Sequence, residues 1–215
     1  MKVISLWSGG KDSCLACYRA KSKGHDIMGL LNFTTGSKEN SLSHGLSAGI
    51  ISRQAKMTGM PSFQKAMPKE GYRDEFKRLI DEWKRTKGIE GIVFGDIYLE
   101  SHKKWVDDVC RELRVEPVMP IWTKDTAGLM REFIDLGFKA VIVAARADKL
   151  GEEWLGREID SGLMKEFEEM GDIDPCGENG EFHTFVYDGP LFKEKVKFTN
   201  GNKALRDGRW FMEVL

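Results

Sequence analysis

A glycine turn set between an apolar run and a helix constrains this chain more than any other feature. Lys2 to Trp7 reads as a short buried strand, Ser8-Gly9-Gly10-Lys11-Asp12-Ser13 follows, and Asp12 to Lys23 reads as a helix stopped by Gly24. Strand, glycine turn and helix in that order open a parallel α/β sheet. There the turn lies at the carboxyl end of the strand, where a helix N-terminus offers free N–H groups and a partial positive charge. Gly9 and Gly10 let the backbone approach an anion, Ser8 and Ser13 add hydroxyl donors, and Lys11 adds a point charge. Phosphate is the guest that fits this combination.

The alternation continues along the chain. His25 to Phe33 reads as a strand, Leu46 to Met57 as a helix before Gly59, Ser62 to Ala66 as a third strand and Arg73 to Lys87 as a charged helix. The run Gly91-Ile92-Val93-Phe94 lacks polar alternation, which predicts a strand covered on both faces. Helix Ser101 to Leu113, strand Pro117 to Ile121, helix Thr126 to Leu136 and strand Ala140 to Ala144 complete the series. Five or six strands interleaved with helices predict a doubly wound, mainly parallel α/β sheet. From about Arg146 the pattern turns charged and glycine-punctuated, with a helix near Met164 to Met170 and strand-like runs at Lys195 to Thr199 and Trp210 to Leu215. This change predicts a main domain over 1–150 and a smaller one over 151–215.

Composition excludes several classes. With 41% hydrophobic and 31% charged residues the 215-residue chain reads as a soluble globular protein, neither disordered nor membrane-spanning. Thirty-three Lys plus Arg balance thirty-four Asp plus Glu, so no global positive field points to nucleic acid. The N-terminal apolar run stops at Trp7, too short for a secretory signal, and a cytoplasmic protein is expected. Cys14, Cys17, Cys110 and Cys176 are too few and scattered for a disulfide framework, and Cys14 and Cys17 lack the second pair of a zinc ribbon. Free thiols are expected.

Beyond the turn, Gly95-Asp96-Ile97 follows the strand ending at Phe94, so Asp96 should reach the same crevice. It either serves Mg²⁺ at a phosphate site or caps the following helix. His44, just before a helix, either hydrogen-bonds a nucleotide or is a turn residue, whereas His25 and His102 carry no metal-ligand pattern and are set aside. Gly177-Glu178-Asn179-Gly180-Glu181-Phe182-His183-Thr184 gathers two carboxylates, an imidazole and a hydroxyl between glycines. Such a segment suits the grip of a polar substrate or the handling of protons, and its bland reading is a polar hairpin turn.

The turn does not match the Walker pattern, which needs glycine at Ser5 and a hydroxyl at Asp12. It does match the SGGKDS loop of the N-type ATP pyrophosphatases, the PP-loop. Together with Gly95-Asp96-Ile97, Leu155-Gly156-Arg157, Gly177-Glu178, Gly180-Glu181, Thr184-Phe185 and Gly189-Pro190-Leu191-Phe192, the chain resembles the diphthine-ammonia ligase family along nearly its whole length. The resemblance implies a HUP-type nucleotide-binding domain followed by a smaller α+β domain. It implies that Ser8 to Ser13, Lys11 among them, hold ATP and that Glu178, Glu181, His183 and Thr184 face the acceptor. The implied reaction adenylates the carboxylate of diphthine on elongation factor 2 and amidates it with ammonia, releasing AMP and pyrophosphate. A homodimer stays open. One departure is visible: where the family tends to read Gly-Glu-x-Gly-Glu-Tyr-Glu-Thr, this chain has Phe182-His183 before Thr184, so a titratable imidazole replaces a carboxylate and a different acceptor becomes plausible. The alternatives from other classes are RNA modification by the same adenylation, with Cys176 as the only candidate thiol, and a nucleotide sensor without turnover.

Overall fold

The structure, a computed structural model, describes residues 1–35, 40–41, 45–123 and 125–215. Five parallel strands, β1 (Lys2–Leu6), β2 (Asp26–Thr34), β3 (Ser62–Ala66), β4 (Gly91–Val93) and β5 (Glu116–Val118), form one sheet in the order β3-β2-β1-β4-β5. Between them run α1 (Lys11–Ser22), α2 (Ala48–Thr58), α3 (Tyr72–Lys87) and α4 (Glu100–Leu113). The apolar pairs in the central strands supply both faces, because successive strand residues point opposite ways. Ile4, Leu31 and Ile92 pack with Phe76 and Ile80 of α3 and Val106 and Val109 of α4. Val3, Leu30 and Val93 pack on the other side with Leu15 of α1 and Ile51 of α2. The sheet is thus wound on both faces, as the unbroken apolar runs predict.

Local signals set several boundaries. The Ser47 hydroxyl accepts from the Ile50 N–H to start α2, and Gly59, at φ +73°, ends it in the left-handed conformation that glycine adopts without strain. Strand order reverses between β1 and β4, so the loops after these two strands flank the switch point where ligands of such sheets sit.

The second half departs from the expected layout. After α5 (Thr126–Asp135), the strand expected over Ala140 to Ala144 is present as β6 (Lys139–Arg146), but it does not extend the parallel sheet. With α6 (Ser161–Met170), β7 (Phe182–Asp188), β8 (Asn200–Arg206) and β9 (Arg209–Val214), it builds a separate antiparallel sheet of order β7-β6-β9-β8. An apolar run shows that both faces of a strand are covered, not which strand lies beside it. Lys195 to Thr199 is no strand; the pairing with β9 falls to Asn200–Arg206, joined to it by Asp207 and Gly208, which both have positive φ. One core binds the halves, since Val3, Leu15 and Ile51 share a cluster with Val141, Val143 and Phe185.

Candidate active site

The turn after β1 is held by its own hydroxyls. The Ser8 and Ser13 hydroxyls lie 3.1 Å apart, the Gly10 N–H donates to Ser8 Oγ, and Ser13 Oγ donates to the Gly10 carbonyl. Gly9 sits at φ +83°, where a Cβ would stand 2.4 Å from Ile51 Cδ1 and 2.8 Å from Gln54 Oε1. Glycine is required there on both counts. Gly95 is a second close approach: a Cβ on it would come within 3.0 Å of the Ser13 backbone nitrogen, so the β4 loop lies directly on the start of α1.

The second sheet grips this turn from the other side. The Lys11 N–H donates to Thr184 Oγ1 at 3.0 Å, and the Val186 N–H of β7 donates to the Gly9 carbonyl at 3.0 Å. Gln54, fully buried on α2, donates to the carbonyls of Gly9 and Val186 and accepts from the Trp7 indole N–H. Glu178 Oε1 accepts the Ile97 N–H at 3.2 Å, which ties the glycine-rich segment before β7 to the loop after β4. Tyr98 and Asn179 add a second link between the same loops.

These contacts enclose a cavity of about 360 Å³ at the switch point. Ser8, Lys11, Asp12 and Ser13 line it from one side and Glu178, His183 and Thr184 from another, with Asp96 and His102 beside them and Trp7, Phe33 and Tyr72 along the rest. The expected phosphate loop, the β4 loop and the segment before β7 therefore meet around one space.

The electrostatics are sharply divided. Burial disfavours the Lys11 ammonium, but the adjoining Asp12 carboxylate, 2.9 Å away, together with Cys176 and Glu178 holds the lysine pKa above its ordinary value. The Lys11 ammonium also bonds the Cys176 carbonyl and lies 5.2 Å from the centre of the Phe182 ring. Glu178 is pushed up to about 7, mainly by burial and then by Asp12. His183 is pushed down to about 4 by burial first, with the Arg209 and Lys11 cations adding to it. An imidazole able to titrate near neutrality is thus corrected to one that stays neutral there.

Other expected residues take different stations. Glu181 does not line the cavity; buried to 3% exposure, its Oε1 accepts from the Asp174 N–H and from Asn179 Nδ2 and so shapes the loop that carries Glu178. Asp96 does not cap the following helix: its Oδ1 lies 2.9 Å from His102 Nδ1, which brings His102 into the site although no metal-ligand spacing marks it. Asp96 lies in the loop before α4 and His102 in its first turn, six residues on, a spacing that does not by itself mark a pair. His44 lies outside the described residues. The four cysteines are free and buried. The Cys176 thiol bonds the Thr126 carbonyl, and burial holds its pKa far above the usual thiol range, a poor setting for a persulfide carrier.

An open doubly wound sheet with the Ser8 to Ser13 turn at its switch point, closed over by an antiparallel sheet, defines a HUP-like α/β protein. A family described as the diphthamide synthase N-terminal domain matches residues 1–117, and one described as the diphthamide synthase C-terminal domain matches residues 125–214. The chain belongs to the diphthamide synthase family. A human relative named diphthine–ammonia ligase is 29% identical over the whole chain and 89% of its own length. A zebrafish (Danio rerio) relative of the same name is 27% identical, covering 91% of this chain and 86% of that protein. A solved structure described as a predicted subunit of tRNA methyltransferase from Methanocaldococcus jannaschii covers 91% of this chain and 100% of its own, with a TM-score of 0.50 at 15% identity. That likeness concerns the fold alone.

Proposed function

We propose that this protein is a cytoplasmic ATP-dependent amide ligase that adenylates a carboxylate and amidates it with ammonia, with diphthine on elongation factor 2 as the acceptor. The observation that carries the reading is the direct clasp between the phosphate loop and the segment before β7, through Thr184 and Lys11, around one cavity. Family membership and the name shared by the relatives support the same chemistry. The domain division at about residue 150 is kept as the proposed limit of the ATP-binding half, with β6 serving the other sheet across it.

In this scheme the amides at the start of α1 and the Ser8 and Ser13 hydroxyls hold the pyrophosphate end of ATP, and Lys11 neutralises its charge. The acceptor carboxylate oxygen attacks the α-phosphorus, the bond to the β-phosphate breaks, and pyrophosphate departs against those same donors. No described group of three His, Cys, Asp or Glu residues stands ready for a resident metal. Asp96 at the crevice instead fits a Mg²⁺ that arrives with phosphate and water ligands and would supply charge neutralisation there. Among the described helices none is long and apolar enough to cross a membrane.

The test is AMP and pyrophosphate release from Mg-ATP and ammonium, with and without diphthine-bearing elongation factor 2. Factor-dependent release is expected, and Lys11→Ala should lower it about 100-fold or more. Full turnover in Lys11→Ala would remove the assignment of the loop, and no stimulation by the factor would remove the acceptor.

A further inference from the structure

Ammonia presents this site with a protonation problem. Near neutral pH it circulates almost entirely as ammonium, which has no lone pair with which to attack. A site using free ammonia therefore needs a group that draws the cation in and takes a proton from it, next to the acyl-adenylate. That group must touch the cavity, keep a carboxylate oxygen accessible, and be held in a fixed plane.

Glu178 meets each condition. It lines the cavity, and its Oε1 is fixed by the Ile97 N–H at 3.2 Å, while among the described residues Oε2 receives no hydrogen bond. Its own backbone N–H is held by Asp174 Oδ1, so main chain and side chain are both anchored. The groups facing it are mixed in sign. Asp12 and Lys11 approach from α1, Asp96 and Tyr98 from the loop after β4, and Asp174 and Cys176 from its own loop. The other carboxylates are less suited. Asp12 is committed to Lys11, Asp96 to His102, and Glu181 lies behind the cavity wall.

Resting on the ligase reading above, we infer that Glu178 is the catalytic residue that binds ammonium and accepts its proton. The carboxylate of Glu178 takes one proton from ammonium and becomes the neutral acid. The freed lone pair of ammonia forms the C–N bond at the acyl carbon, and the bond from that carbon to the AMP oxygen breaks. AMP leaves with its negative charge, the second nitrogen proton passes to bulk water, and Glu178 returns its own proton to water before the next turnover. Atoms and charge balance without any further reactant. Burial and the Asp12 charge hold Glu178 near neutrality, which suits a group that must both take and release a proton at working pH.

Hydroxylamine distinguishes this role from a structural one, because near neutral pH it is mostly neutral and attacks without prior deprotonation. The full-length protein, Mg-ATP and diphthine-bearing elongation factor 2 are supplied with ammonium or hydroxylamine, and amide and hydroxamate products are read by mass. In Glu178→Gln, which keeps an oxygen for the Ile97 N–H, the hydroxamate-to-amide ratio is expected to rise about 100-fold at neutral pH. Raising the pH should restore amide formation in that variant, and Glu178→Asp should fall between it and the parent. An unchanged ratio, with both products lost together or both retained, overturns the proposal. If the unaltered protein makes neither product and shows no factor-dependent ATP–pyrophosphate exchange, the ligase reading falls and this role falls with it. Exchange that persists alongside an unchanged ratio sinks the role of Glu178 alone.

Discussion

At the scale of single residues, the cavity holds two groups whose titrations oppose one another. His183 has its folded pKa depressed to about 4, so between about 6.5 and 4 the unfolded chain binds the extra proton and stability falls as the pH drops. Glu178 has its folded pKa raised to about 7, so between 7 and about 4.5 the folded chain binds the extra proton and stability grows as the pH drops. The His183 effect is worth about 3 kcal/mol at most and that of the half-buried Glu178 less, because water screens it, so the two oppose and largely offset one another from pH 6.5 to 4.5. Urea unfolding across that range should show a shallow profile from this pair in the parent protein. His183→Gln should become more stable toward acid, and Glu178→Gln should lose stability more steeply there than the parent. Parallel profiles for all three would contradict the opposed titrations. Gly9→Ala belongs to the same scale: positive φ and a 2.4 Å approach to Ile51 predict a loss of about 1–3 kcal/mol, read as a lower denaturant midpoint.

At the scale of elements, the start of α1 depends on β7 and α2. Thr184→Val is nearly isosteric but removes the acceptor of the Lys11 N–H, and a buried unsatisfied amide costs about 1–3 kcal/mol. ATP affinity, measured by calorimetry, should fall with the stability. If affinity is unchanged, Thr184 does not position the phosphate loop.

The sequence made these elements visible unevenly. The turn Ser8 to Ser13 was legible because its chemistry is local: glycines, hydroxyls and a lysine sit within one helix start. The run Ala140 to Ala144 revealed a strand but not its sheet, since neighbours are chosen by contacts far away in the chain. Asp207-Gly208 is a two-residue hairpin signal in plain view, yet β8 before it is mostly exposed and polar, so apolar pattern shifted the expected strand onto Lys195 to Thr199. Gln54 was invisible, because a glutamine in mid-helix reads as a solvent-facing residue. Only the fold reveals that it spans Trp7, Gly9 and Val186. Glu178 and Glu181 looked alike in the glycine-rich segment, and their opposite orientations are set by Ile97 on one side and Asp174 on the other.

At the scale of the whole molecule, a single apolar cluster runs from β1, α1 and α2 into β6 and β7. Two sheets sharing a core should unfold together, because neither can keep its buried face without the other. Circular dichroism and tryptophan fluorescence are therefore expected to give one coincident transition in urea. Two separated transitions would mean that the sheets fold independently.

The bond from the Val186 N–H to the Gly9 carbonyl has a further consequence for how such a protein can diversify. Under the proposed function β7 both borders the acceptor and holds the nucleotide turn in place, so the two halves are not interchangeable modules. A chimera that grafts a foreign second half onto this first half will keep nucleotide binding only if the graft brings a hydroxyl at position 184 and the same strand register at position 186.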